Sequence, residues 1–443
     1  MTNTRAQRNR MIFALGIPIV GGMISQNILN LVDTAMVGQL GDDALAGVGV
    51  GSFVNFTGVA TVMGLSAGVQ AIAARRFGAG QKDRTAEPLN AALLISLLVA
   101  LPLSILLMWA VPHFFPYLNN DPAVLDHGVP YLWIRMVAMT AVGFNFAFRG
   151  YWNAINLPKL YLRTLVTMHL LNILLNWMFI FGNAGAPELG AMGAGLASAI
   201  ATVGGSVYYI ILGGKYARDG GFLNHFPSKA NIRSVLRLTI PASLMQVTFA
   251  AGLTTLFWIL GQVGTEETAA ATVLINIMLV AILPGVAFGL AAASLVGQAL
   301  GRGDKDDAMQ WGWDVVRIGM VSLAILGLPM MLVPELILGV FLENPATVEL
   351  AAWPLRIHGA FMTFDAIALV LMNALHGAGA STTVMRISVG LQWGLFLPAA
   401  YLCGPVLGGG LLTIWIIQIL YRSIQCVFFA ATWSKGKWQS IEV

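Results

Sequence analysis

Twelve stretches of the chain, each long, apolar and almost free of charge, decide what it can fold into. They fall at about 11–38, 50–74, 89–112, 129–152, 161–182, 189–213, 234–262, 273–300, 313–340, 350–376, 384–404 and 409–433. A helix crossing about 30 Å of hydrocarbon needs roughly 20 mostly apolar residues. Membrane β-strands would be about ten residues long with alternating polarity, and nothing here alternates that way. Only 10% of the 443 residues are charged, whereas a soluble surface needs about a quarter. A water-soluble enzyme, a nucleic-acid binder and a disordered chain are therefore excluded. The first run follows Arg5, Arg8 and Arg10 as a signal peptide would, but it is too long and holds Gln26, Asn27, Asn30 and Asp33, so it is expected to be kept as a helix. Cys403 and Cys426 both lie in apolar stretches and imply no disulfide or zinc framework.

Orientation follows from the loops, because Lys and Arg concentrate on the cytoplasmic side. One side collects Arg75, Arg76, Lys82, Arg84, Lys159, Arg163, the basic stretch from Lys215 to Arg237, Arg302, Lys305 and Arg386. The other holds Asp42, Asp43, Asp121, Asp126, Glu188, Glu266, Glu267, Glu335, Glu343 and Glu349, with no Lys or Arg in its loops. The expectation is a multi-pass protein of the cell (inner) membrane with both termini cytoplasmic. That asymmetry also explains a formal net charge of +4 without any polyanionic partner.

The chain repeats itself. Shifted by 223 residues, Leu15, Ile17 and Pro18 fall on Leu238, Ile240 and Pro241, and Gly78, Gly80, Lys82 and Asp83 fall on Gly301, Gly303, Lys305 and Asp306. Further on, at an offset near 220, Arg135 falls on Arg356, Asn145 on Asp365 and Asn153 on Asn373. Six helices per half give both halves the same topology, as in transporters built from parallel repeats. The expected fold is all-α: two six-helix lobes related by a pseudo-two-fold axis along the membrane normal. The lobes are 1–213 and 234–443, joined by a cytoplasmic linker at 214–233.

Only two carboxylates, Asp33 and Asp365, lie deep in apolar runs. A charge at that depth costs about 2.5 kcal/mol or more, so it faces a protein interior or a wet cavity and marks an ion or proton route. Gln26, Asn30 and Asp33 recur at i, i+4 and i+7, which places them on one helical face. Asp33 corresponds to Leu256 in the repeat and Asp365 to Asn145; the shared fold requires neither carboxylate. Asn172 and Asn176 share a face of the fifth run, as an interhelical hydrogen-bond pair or as part of a coupling site. Pro18 and Pro241 sit inside the first and seventh runs, where proline removes a helical hydrogen bond, making either a fixed kink or a moving hinge.

The run Leu31-Val-Asp33-Thr-Ala-Met-Val-Gly38-Gln-Leu-Gly41 resembles the helix-1 signature of the multidrug and toxic compound extrusion (MATE) transporters, most closely the DinF-like branch. Asn373-Ala-Leu-His-Gly377-Ala-Gly379 is similar to that family's glycine-rich end of helix 10, and the two Gly-x-Gly loops are similar to its paired cytoplasmic loops. The resemblance covers all twelve runs. It implies an antiporter that expels lipophilic, often cationic compounds in exchange for H+ or Na+. It implies that Asp33 is the coupling carboxylate, with Asn172 and Asn176 approaching it and Pro18 bending helix 1 on protonation. Ser198 matches a helix-6 hydroxyl, Asp365 matches a carboxylate used by another branch, and Gln246 stands where that branch has a glutamate. Each lobe thus keeps one membrane carboxylate. Hard cations prefer several charged oxygens, and burial disfavours a carboxylate's charged form, so H+ is favoured over Na+.

The expected site set is Asp33, Asn172, Asn176 and Asp365 for cation coupling. Gln26, Asn30, Asn145, Ser198 and Gln246 are expected to line the substrate cavity, and Pro18 and Pro241 to form the hinges. No cofactor is expected beyond the transported cation, and the protein is expected to act as a monomer on small molecules. Two other readings share the architecture: Na+-coupled export, and a lipid or polysaccharide flippase. The flippase would line its cavity with Arg and Lys, yet Arg135, Arg149, Arg317 and Arg356 all fall near helix ends. An enzyme is not expected, since the six histidines are scattered without metal or triad spacing.

Overall fold

The computed structural model describes residues 4–442, and among them every regular element is helical. Eleven helices are long and apolar enough to cross a membrane: α1 (Arg5–Gly38), α2 (Asp42–Gly78), α3 (Lys82–Tyr117), α5 (Pro158–Phe181), α6 (Gly190–Tyr216), α7 (Lys229–Val263), α8 (Thr265–Gly301), α9 (Lys305–Leu332), α10 (Pro345–Gly377), α11 (Ser381–Val406) and α12 (Leu411–Ser434). A bent pair, Pro122–Val137 and Met139–Ala154, meets at 52° and, taken as one span, makes a twelfth, α4. All twelve apolar runs are thereby accounted for. The fold is an all-α membrane architecture.

Local structure obeys the repeat. Gly80 and Gly303, 223 residues apart, both take left-handed φ values of 75° and 78° after α2 and α8, a conformation that costs glycine nothing. Asp121 and Asn344, again 223 apart, cap α4 and α10 by accepting from the N–H of Ala123 and Ala346 at 3.0 Å. Each is followed by proline at the first helical position, where the missing N–H is no loss. The halves diverge at the bend of α4, where Ser104 of α3 donates its hydroxyl to the Met136 carbonyl. Its counterpart α10 is unbroken.

The chain divides into two compact units that do not follow the 1–213, 214–233 and 234–443 boundaries. One runs from Gly21 to Ser243; the other joins the segment ending at Val20 to the segment beginning at Leu244. Both cuts fall two residues after a proline, Pro18 in α1 and Pro241 in α7. Packing is the reason. In the second unit Ile12 and Leu15 of α1 are built into a core with Phe288, Trp311 and Trp433. Arg8, 4% exposed, bonds both Asp307 and Asp314 and stacks 3.7 Å over Trp311.

In the first unit, Gly64 and Gly68 of α2 leave room for Thr239 and Ser243 of α7, and a Cβ at Gly64 would meet the Thr239 carbonyl at 2.4 Å. Small residues permit such close helix approach in a membrane. Asn231, which corresponds to Arg8 in the repeat, accepts from Arg76 at 2.7 Å and donates to Glu87 at 2.9 Å. The stretch expected to be a linker is also held down. Asn90 donates to the Gly221 carbonyl at 2.9 Å and accepts from the Leu223 N–H at 3.1 Å.

Candidate functional site

Within the Gly21–Ser243 unit, α1, α5 and α6 bring together the residues that spacing placed on separate faces. Asp33 Oδ1 accepts from Asn176 Nδ2 at 2.6 Å. Asn176 also donates to Asn172 Oδ1 at 3.0 Å, and Asn172 donates to Ser198 Oγ at 2.9 Å. The Asn172 amide has a second setting. Turned over, it donates to Asp33 Oδ1 at 3.1 Å and accepts from the Ser198 hydroxyl at 2.9 Å. Asn176 is fully buried, and its Oδ1 has no partner, an arrangement that buried polar groups normally avoid. Asp33 is half-buried and makes no ion pair among the described residues.

A third residue of α5 belongs to this face. His169 stands three residues before Asn172 and seven before Asn176, and all three are buried. Its Nδ1 lies 2.6 Å from Ser25 Oγ and its Nε2 lies 3.2 Å from Gln26 Oε1. Gln26 Oε1 can only accept, so Nε2 carries the proton, and Nδ1 accepts from the Ser25 hydroxyl when the ring is neutral. Gln26 passes the chain on, donating to Asn30 Oδ1 at 3.1 Å. The polar stripe of α1 is thus clasped to α5 between Pro18 and Asp33. The sequence left His169 among scattered histidines; its i, i+3, i+7 relation to the two asparagines was the available signal.

Asp365 is placed elsewhere, in the other unit, and it is paired. Arg422 of α12 donates from Nε to Asp365 Oδ1 at 2.6 Å and from Nη1 to Gln425 at 2.9 Å. Asp365 is only 2% exposed. His358 Nε2 stands 3.7 Å from its second oxygen, beyond hydrogen-bond length. Arg422 was not among the expected site residues, although a lone arginine inside an apolar span answers to the same criterion as a lone carboxylate.

The remaining candidates separate. Asn145 is satisfied inside its own unit, donating to the Thr202 carbonyl at 3.2 Å and accepting from Ser206 at 2.8 Å. It therefore matches Asp365 in reaching the last helix of its half, with neutral partners in place of an arginine. Gln246 is half-buried on α7. Pro18 and Pro241 lie inside helices that run on without a break.

A family model matches the chain in two blocks, 18–178 and 241–402, which begin at the two prolines and stand in the 223-residue register of the internal repeat. The chain belongs to the MatE family. Two relatives align with nearly the whole chain, a probable multidrug resistance protein NorM from Neisseria meningitidis and another from Thermotoga maritima. The first is 25% identical over 430 residues, covering 94% of this chain and 92% of the relative. The second is 25% identical over 442 residues, covering 97% and 92%. Among solved structures, an outward-facing multidrug resistance MATE transporter of the MOP superfamily superposes with a TM-score of 0.89 at 21% identity, covering 97% of each chain. The MatE fold is therefore established over nearly the whole chain.

Proposed function

We propose that this MatE-family chain exports lipophilic, often cationic compounds in exchange for protons, with Asp33 as the coupling group. The observation that carries this reading is the Asp33–Asn176 pair. Asp33 has an amide partner and, among the described residues, no arginine bonded to it, so no fixed charge locks it in the charged form. Asn176 keeps an unused acceptor beside its donor. The same amide can donate to the carboxylate or, turned over, accept from the carboxylic acid, so both protonation states find a partner. A lone carboxylate among amides suits a proton better than Na+, which prefers several charged oxygens.

Conversion between access states is assigned to α1 and α7 at Pro18 and Pro241. Each proline leaves one carbonyl of its helix without the usual N–H, and each is followed within two residues by a unit boundary. Protonation at Asp33 would exchange the bond donated by Asn176 for one that its amide oxygen accepts, rearranging the contact that holds the outer part of α1 and favouring its bent form. A proton and a drug that prefer opposite forms of one site exchange obligatorily, since a ligand shifts an equilibrium only by its differential affinity for the two states.

Dye efflux from inverted vesicles tests the coupling. A pH gradient is expected to drive it and a Na+ gradient at equal pH to leave it unchanged; the reverse result assigns the site to Na+. The orientation, with both termini cytoplasmic, is tested by cysteines placed at Asp121, Glu343 and Lys229. The first two are expected to react with a membrane-impermeant reagent from outside intact cells, and labelling of the third from outside would invert the topology.

A further inference from the structure

The first turns of α7 carry a basic face that coupling at Asp33 does not use. Lys229, Arg233 and Arg237 recur at i, i+4 and i+8, which aligns them along one side of the helix, and all three are exposed. Ile232 and Leu236 lie on the same side, and the five residues line a shallow groove of about 340 Å³ that contains no acidic group. Farther along the same face stands Ile240, 58% exposed. Cations at the start of a membrane helix giving way to aliphatic side chains at greater depth match an amphiphile with an anionic head.

The internal repeat supplies the control. At the offset of 223, Leu236 and Ile240 correspond to Phe13 and Ile17 of α1, which are likewise 42% and 60% exposed. The apolar part of the face therefore recurs in both halves. Lys229, Arg233 and Arg237 correspond to Ala6, Arg10 and Ala14, so the three-residue basic face of α7 is not repeated on α1. Topology needs positive charge somewhere on this side of the membrane, but it does not need three cations in line beside an apolar groove.

We infer that this face binds an anionic phospholipid from the leaflet at the start of α7. The phosphate lies among Lys229, Arg233 and Arg237, and an acyl chain follows Ile232, Leu236 and Ile240. Each cation facing an anionic headgroup strengthens binding by about fivefold, so three together give on the order of a hundredfold.

Native mass spectrometry of the full chain in detergent tests this, with phosphatidylglycerol, phosphatidylcholine and inorganic phosphate added in separate arms. The wild-type protein is expected to retain phosphatidylglycerol in preference to phosphatidylcholine. Lys229→Gln, Arg233→Gln and Arg237→Gln combined are expected to abolish that preference, whereas Arg10→Gln on the equivalent face of α1 leaves it intact. Equal retention by wild type and the triple variant overturns the site, as does loss of the preference in Arg10→Gln. Displacement of the lipid by millimolar inorganic phosphate reassigns it to a small anion. The readout is lipid retention, so the result stands apart from whether Asp33 couples export to protons.

Discussion

Asp33 and Asp365 are the two deep carboxylates of this chain, and their surroundings differ in kind. Asp33 is half-buried and accepts from Asn176, with Asn172 in reach when its amide is turned over and, among the described residues, no arginine bonded to it. Asp365 is almost wholly buried, and a guanidinium donates to it at 2.6 Å. An arginine stays protonated under all accessible conditions, so it supplies its partner carboxylate with a fixed counter-charge. An amide pair does not. Two apolar spans therefore give their carboxylates unequal surroundings: one is bonded by an amide, and the other is balanced by a fixed charge. The repeat adds that Leu256, which corresponds to Asp33, is part of an apolar core. The polar site belongs to one half only.

The most severe test of this contrast is Asp33→Asn. Efflux driven by a pH gradient is expected to fall to the background of empty vesicles while the protein remains inserted and folded. Retained gradient-driven efflux in that variant would remove Asp33 from coupling.

Arg422→Leu addresses the other carboxylate. It leaves Asp365 as a buried anion without its partner, which costs about 3–5 kcal/mol and is expected to lower the unfolding temperature in detergent sharply. Arg422→Leu combined with Asp365→Leu is expected to recover most of the loss, because an apolar pair can replace a buried ion pair. Should the single variant unfold no earlier than wild type, the pair carries no structural weight. Asp365→Asn is a milder change, and its efflux is expected to stay within about a factor of ten of wild type; collapse to background would move coupling into the second unit.

His169→Ala should have the smallest effect. It removes two hydrogen bonds between α5 and the polar stripe of α1, each worth roughly 0.6 kcal/mol in a membrane protein. Together they shift the balance between forms of α1 by about 1 kcal/mol, close to a fivefold change in efflux rate. His169→Gln, which can keep a donor and an acceptor, is expected to recover part of it. An unchanged rate in His169→Ala would show that the clasp does not set that balance.

Much of this was legible before folding. Hydrophobic run length alone set the number of crossings, and the offset of 223 paired the turns at Gly80 and Gly303 and the caps at Asp121 and Asn344. The stripe Gln26, Asn30 and Asp33 follows from helical periodicity. Asn172 and Asn176 were visible for the same reason, because residues three, four and seven apart share a face whatever the helix packs against. The meeting of Asp33 with Asn176 came only through the family resemblance, and Arg422 and His169 were passed over.

What the tertiary structure decided is which faces meet. Asp33 and Asn176 are 143 residues apart, and Asp365 and Arg422 are 57 apart; no periodicity links residues on different helices. The same holds for the opening turns of α1 and α7, which sequence order assigns to their own halves. Ile12, Leu15 and Arg8 find their core and counter-ions among residues beyond Leu244, and Thr239 and Ser243 find glycines in α2. Covalent order fixes a helix's own face and length. Its partners are chosen by close packing and by the cost of leaving a charge or a polar group unpaired in hydrocarbon, and that choice settled which deep carboxylate was balanced by an arginine and which was left to amides.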